Sequence, residues 1–340
     1  MKTLKHLEKS KSFWSILAIS LLFFFLRFPS IFEPYWYGDE GIYEVIGQAL
    51  HQGRILYTGI WDNKPPLLYI MFGIFNGNQE SVRALSLVLG LLSTIVFFCL
   101  SQKLFKKLSS SITATLLFAI LFGTPFLEGN IANAENFMLL PTLGAGLLIY
   151  TESNRHAGRS RMTIAGLLLG LAFLYKIVAV FDLAAFLLFI AFTSLREAKR
   201  RSNLVHQIAA LSASWRIARN DILMVIAGFL IPLILTALYF LFNNSLINFL
   251  QATFAGNVEY VGLNNTFLTI PQGLLIFKLL LLAIAIGLIF SKRHKLTNTT
   301  LFILLWLSFG LFNAFFSQRP YTHYLLVLLP SLCLFIGLTI

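Results

Sequence analysis

The sequence predicts an all-α polytopic membrane protein of about ten transmembrane helices, and three observations carry that prediction. First, 57% of its 340 residues are hydrophobic and only 12% charged, with 34 Phe. A soluble domain needs more polar surface than this to cover its core. Second, the apolar residues fall in blocks long enough to cross a hydrocarbon layer, which takes roughly 20 helical residues. Third, the basic residues cluster in alternate segments between those blocks, as membrane topology requires. Neither the apolar stripes of a soluble bundle nor the alternation of a membrane barrel is present.

In chain order the blocks are 13–28, 81–104, 112–127, 137–150, 162–175, 178–195, 222–242, 273–290, 299–316 and 324–340. The first follows a basic N-terminus and has no small-residue cleavage pattern after it, so an uncleaved helix is expected rather than a removed signal peptide. The fifth and sixth nearly merge. Together they are too long for one crossing, and a turn at Tyr175–Lys176 is the simplest break.

Charge tests the alternation. With a cytoplasmic N-terminus, the inner segments collect 19 of the 26 basic residues, from Lys2 to Lys11, Lys103 to Lys107, Arg155 to Arg161, Arg196 to Arg219 and Lys292 to Lys295. Arg27, Arg54, Lys64, Arg83, Lys176, Lys278 and Arg319 remain on the outer side. This asymmetry predicts a plasma (inner) membrane protein with its working face outside the cytoplasm. Glu33, Asp39, Glu40, Glu44, Asp62, Glu80, Glu128, Glu135, Asp182 and Glu259 lie on that same outer side. Acidic residues contribute little to topology, so chemistry is a candidate reason for their gathering.

The net charge of +12 is accounted for by topology, and no nucleic-acid partner is expected. Cys99 and Cys333 both lie in apolar blocks and read as small apolar residues. Of the six His, only His51 and His323 are outside, without a close-spaced ligand motif. No metal or other cofactor is expected, though a divalent cation at Asp39–Glu40 stays open. Gly166 and Gly170 form a pair suited to helix packing. The chain reads as one membrane domain, 1–340. Because it stops at Ile340 inside an apolar run, a fragment or a short form is expected.

The first outer loop, 31–80, is long and rich in aromatic and charged residues, and such loops are where function concentrates. From Asp39 the pattern is helical. Ile42, Val45, Ile46, Ala49 and Leu50 share one face, and Glu40, Glu44, Gln48 and Gln52 another. This suits a helix lying on the membrane surface, ended by Gly53. The stretch from Leu56 to Pro66 reads as extended, because two prolines keep Lys64 out of helical geometry.

Asp39 stands at a helix start, where Asp is a favoured cap. It is also suited to act as a general base, desolvated by Trp36 and Tyr43. Lys64 fits either an interfacial anchor or a phosphate contact held in place by the prolines. The alternatives stand side by side on the residues alone.

The run Asp39-Glu40-Gly41-Ile42-Tyr43, with Ala49, Gly53, Tyr57 and Trp61-Asp62-Asn63-Lys64-Pro65-Pro66-Leu67, resembles the first outer loop of the C-type (GT-C) glycosyltransferases. The groups it is most similar to are the protein O-mannosyltransferases and the bacterial lipid A aminoarabinose transferases. The resemblance implies a GT-C-like fold. It also implies a polyprenyl-phosphate-linked sugar as donor, inversion at the anomeric carbon, Asp39 (with Glu40) at the catalytic position and Lys64 at the donor phosphate. Glu135, which opens the fourth block, matches the family's acidic position there, although many members carry Asp. Arg319 and the His323-Tyr324 pair before the last block match its Arg and His-Tyr element. They are expected as a second phosphate clamp and a hydrogen-bond donor, or else as an interfacial belt. Tyr43, Asp62, Lys176, Asp182 and His323 are expected around the same cavity, with a plain Lys176–Asp182 ion pair as the alternative.

The function expected from these residues is a hexosyl- or pentosyltransferase working on the outer face of the bilayer, with an unassigned protein, lipid or glycan acceptor. A transporter or flippase of lipid-linked sugars is the alternative. It calls for broken helices and midplane charges, whereas the charges here gather at the outer rim, and no transporter-type internal repeat is apparent.

Overall fold

The structure is a computed structural model. It describes residues 2–34, 37–153, 159–200, 207–258, 274–317, 319 and 321–340. Trp36, Arg155, Arg201, Glu259 and Pro320 lie outside the described residues.

Thirteen α-helices are described: α1 (Lys2–Arg27), α2 (Gly38–His51), α3 (Pro66–Ile74), α4 (Gln79–Leu104), α5 (Leu108–Gly123), α6 (Ala134–Ser153), α7 (Arg159–Tyr175), α8 (Val180–Arg200), α9 (Gln207–Phe242), α10 (Leu246–Leu250), α11 (Leu274–Lys292), α12 (Asn298–Phe315) and α13 (Leu329–Thr339). No strand occurs among the described residues; a single isolated bridge joins Leu56 to Ile60. The predicted apolar blocks fall on α1, α4 to α9 and α11 to α13. Among the described residues, six helices are long and apolar enough to cross a membrane, and Leu108–Gly123, Ser160–Tyr175 and Leu329–Thr339 are shorter apolar helices. The chain is therefore a multi-pass membrane protein.

The predicted break between the fifth and sixth blocks is present. α7 ends at Tyr175, Lys176 is extended at φ −156° and ψ 127°, and a short 3-10 turn, Ile177–Ala179, leads into α8. Cys99 and Cys333 are unbonded thiols, as their apolar settings imply.

Glycines bring α7 and α9 into close contact. A Cβ at Gly166 would lie 2.0 Å from the Val225 carbonyl oxygen, and one at Gly228 would lie 2.0 Å from the Thr163 carbonyl oxygen. In lipid, where apolar burial gives helices no preference for one another, such backbone approach is a main source of packing. Gly228→Ala is expected to force the pair apart and cost about 1–3 kcal/mol, the range for overpacking. A fall in melting temperature of the detergent-solubilised protein checks this.

The first outer loop folds as two short helices, α2 and α3, packed on one another. Gly53 takes φ +84° just beyond the end of α2, as a helix-terminating glycine does. The apolar face is split between burial and exposure. Glu40, Tyr43, Ile46, Gly47 and Ala49 are buried, while Ile42 and Val45 are exposed. Two contacts seat the helix. Arg83 draws Glu40 inward, and the backbone of Phe72 presses so close to Gly47 that a Cβ there would meet it at 2.7 Å.

Candidate active site

Five connections meet over one cavity of about 300 Å³. They are the loop 31–80, the start of α6, the α7–α8 break, the segment after α10, and the stretch from the end of α12 to residue 327.

Asp39 lies in the first turn of α2. It is not a cap: Tyr37 holds that position and makes no side-chain cap bond. The carboxylate instead accepts hydrogen bonds from the Tyr43 hydroxyl at 2.9 Å and from Lys64 Nζ at 3.3 Å. Burial pushes the Asp39 carboxyl up. The Lys64 charge, the bonds from Tyr43 and Lys64, and the field of His323 outweigh that and hold it below its ordinary value. Burial and the neighbouring Asp39 charge together raise the Tyr43 phenol well above its usual range, so it stays a proton-bearing donor.

Lys64 is held through its backbone. The Tyr57 hydroxyl donates to the Lys64 carbonyl at 2.7 Å, and Tyr57 is buried in the left-handed region at φ +70°. A non-glycine residue keeps that conformation only where its surroundings determine it. Asn257 donates to the neighbouring Asn63 carbonyl at 2.6 Å, tying the segment after α10 to the first outer loop. The Lys64 ammonium lies 4.8 Å from the centre of the Tyr43 ring and 3.9 Å from Asp62 Oδ2. Asp62 in turn accepts from the Tyr69 hydroxyl at 2.7 Å and from the Asn63 backbone amide at 2.7 Å.

The opposite wall carries a second ion pair. Glu135, buried at the start of α6, bonds to Lys176, whose ammonium lies 4.0 Å from the centre of the Tyr324 ring. His323 Nε2 is 3.8 Å from Glu135. Its Nδ1 lies 2.6 Å from Glu128, which accepts its hydrogen bond. Among the described residues, no three His, Cys, Asp or Glu side chains form a metal-holding group.

Most of the expected cavity residues are brought together: Asp39, Tyr43, Asp62, Lys64, Glu135, Lys176, His323 and Tyr324 all line it. Three depart from expectation. Glu40 follows Asp39 by about 100° around the helix and turns away from the cavity. It is fully buried, receives the Arg83 guanidinium on both oxygens and accepts the Ala132 amide at 2.9 Å. Asp182 is also outside the cavity lining. It accepts from Trp306 Nε1 at 2.7 Å, so the alternative Lys176–Asp182 pair is replaced by Lys176–Glu135. Arg319 is half-buried between Ser317 and Tyr321, which form the wall in its place.

The sequence reading did not single out Trp61, Asn63, Asn257, Asn313 and Ser317 as cavity residues, nor Glu128 as the partner of His323. Asn313 and Ser317 had a usable signal, being polar residues at the outer end of an apolar block. Asn257 had none, because only folding brings the segment after α10 onto the first outer loop.

Residues 64–218 match the family model of dolichyl-phosphate-mannose-protein mannosyltransferases. No curated protein matches the chain by sequence. Among solved structures, the chain is similar to the Archaeoglobus fulgidus oligosaccharyltransferase in complex with zinc and sulfate. That match has 15% identity and a TM-score of 0.53, over 96% of this chain and 48% of the other. It is similar also to the same organism's oligosaccharyltransferase AglB, solved with an inhibitory peptide and a dolichol phosphate. There the identity is 13% and the TM-score 0.54, over 98% of this chain and 50% of that one. A third is ArnT from Cupriavidus metallidurans bound to undecaprenyl phosphate, at 14% identity and a TM-score of 0.54, over 95% and 59%. The chain spans about half the length of these proteins. It has the fold shared by the GT-C membrane glycosyltransferases, and its segment 64–218 carries the match to the mannosyltransferase family.

Proposed function

We propose that this protein is a glycosyltransferase that moves a sugar from a polyprenyl phosphate to an acceptor on the outer face of the plasma membrane, with inversion at the anomeric carbon. The observation that carries the reading is the Asp39–Lys64 pair at 3.3 Å inside a cavity that also holds Lys176. A carboxylate suited to accept a proton and two cations suited to offset phosphate charge are the parts this transfer needs.

In the proposed cycle the donor's phosphate lies between Lys64 and Lys176, with Tyr324 beside it and Arg319 at the rim. As the phosphate draws Lys64 toward itself, Asp39 loses part of the charge that depresses its basicity. Asp39 then takes the proton of the acceptor hydroxyl or amine as that group attacks the anomeric carbon. Glu135 orients sugar or acceptor from the opposite wall. Glu40 serves as the anchor of α2 and touches no substrate. The two lysines supply the charge stabilisation, and no cofactor is called for. The neighbours' polyprenyl phosphates support the donor class; the acceptor is left as protein, lipid or glycan.

Purified protein in liposomes should transfer label from a polyprenyl-phosphate mannose, or a pentose analogue, to an acceptor fraction. Movement of the intact lipid-linked sugar across the bilayer without transfer would establish the flippase alternative instead. Lys64→Met should raise KM for the donor about tenfold or more. It should also move the acid limb of the kcat/KM profile to higher pH. The sign follows from Asp39, which is active when ionised and is held below its ordinary value against burial chiefly by Lys64. Without Lys64, burial pushes it up, and activity is lost at a higher pH as the solution is acidified.

A further inference from the structure

The wall opposite Asp39 carries a group that the proposed cycle does not yet use. His323 is nearly fully buried, yet it lines the cavity. Its Nδ1 bonds at 2.6 Å to Glu128, which stands behind it and does not line the cavity. Its Nε2 faces forward, toward Glu135 at 3.8 Å. The Tyr321 ring stacks on the imidazole at 5.5 Å between centroids, and the Tyr37 and Tyr324 rings meet it edge-on. Glu128 reaches this position from a left-handed backbone, φ +54°, a conformation a residue with a side chain keeps only where its surroundings determine it. A carboxylate that accepts from one imidazole nitrogen orients the ring, and only in the imidazolium does the other nitrogen also carry a proton.

We propose that His323, held by Glu128, is a second acid–base residue that donates its Nε2 proton to the departing polyprenyl phosphate. The inference rests on the glycosyl-transfer reading and extends it. The acceptor oxygen forms a bond to the anomeric carbon as its proton passes to Asp39. The bond from that carbon to the phosphate oxygen breaks, and the electron pair stays on the phosphate. The Nε2 proton of the imidazolium passes to a phosphate oxygen, leaving a neutral imidazole. Asp39 returns its proton to water, and His323 takes one up, as products leave. The groups facing His323 are Glu128, Glu135, Tyr37, Tyr321, Tyr324, the Lys176 ammonium that shares Glu135 Oε1 with it and, through its field, Asp39.

Undecaprenyl phosphate alone is the probe, because its binding is measured without knowing sugar or acceptor. For the wild-type protein in detergent, affinity should rise about tenfold between pH 8 and pH 6 beyond the rise seen for His323→Gln. Glu128→Gln keeps a hydrogen-bond partner but removes the charge, and should weaken that pH dependence at an unchanged melting temperature. An identical pH dependence in wild type and both variants overturns the proposal. Normal undecaprenyl phosphate binding with no transfer from any polyprenyl-phosphate sugar overturns the glycosyltransferase reading separately.

Discussion

Asp39→Asn is expected to lower the rate of sugar transfer by about 10²–10⁴-fold, the range a positioned general base contributes. Asparagine has the same shape as aspartate and can still accept from Tyr43 and face Lys64, so the fold of α2 should persist. What is lost is the ability to take a proton. The measurement is kcat for transfer in liposomes, alongside the melting temperature of the same preparation. Donor KM should change only a few-fold, because the phosphate contacts lie on Lys64 and Lys176. Asp62→Asn is the internal control. Its carboxylate also lines the cavity, but Tyr69 and the Asn63 amide already occupy it, and its loss should cost far less rate. Retention of more than a tenth of wild-type kcat by Asp39→Asn, in correctly inserted protein, would remove this residue from the chemistry.

The second large effect concerns stability. Glu40 and Arg83 are both fully buried and paired through both carboxylate oxygens. Arg83 also donates to the carbonyls of Ser30, at 2.9 Å, and of Glu33. Removing one partner leaves a buried charge without compensation, which costs about 3–5 kcal/mol. Arg83→Met and Glu40→Gln should each shorten the half-life of the solubilised protein at elevated temperature. The half-life is the proper readout, since membrane proteins often unfold irreversibly. The double variant should recover part of the loss, because it no longer strands a charge. If Glu40→Gln instead left stability intact and abolished turnover, Glu40 would belong to the chemistry and not to the scaffold.

The contrast between Asp39 and Glu40 shows where sequence reasoning reaches and where it stops. Adjacent carboxylates in a motif look equivalent on paper. A helix turns about 100° per residue, so at most one of them points into a given cavity. Which one is decided by a partner 43 residues away, Arg83. Lys176 illustrates the point again. Its near neighbour Asp182 was the natural partner by sequence distance. The observed partner is Glu135, 41 residues away, while Asp182 serves Trp306.

What the sequence by itself determined was the kind of molecule. It set the apolar blocks, the break before Lys176, the helix that Gly53 ends, and the loop that carries Asp39 and Lys64. All of these follow from local physics, since hydrophobic length, charge placement and the backbone limits of glycine and proline act over a few residues. The tertiary structure alone decided which charged groups meet. Glu128 and His323 are 195 residues apart, and Asn257 reaches Asn63 across 194. Contacts of that kind depend on how helices pack around a common centre, and no local pattern encodes them.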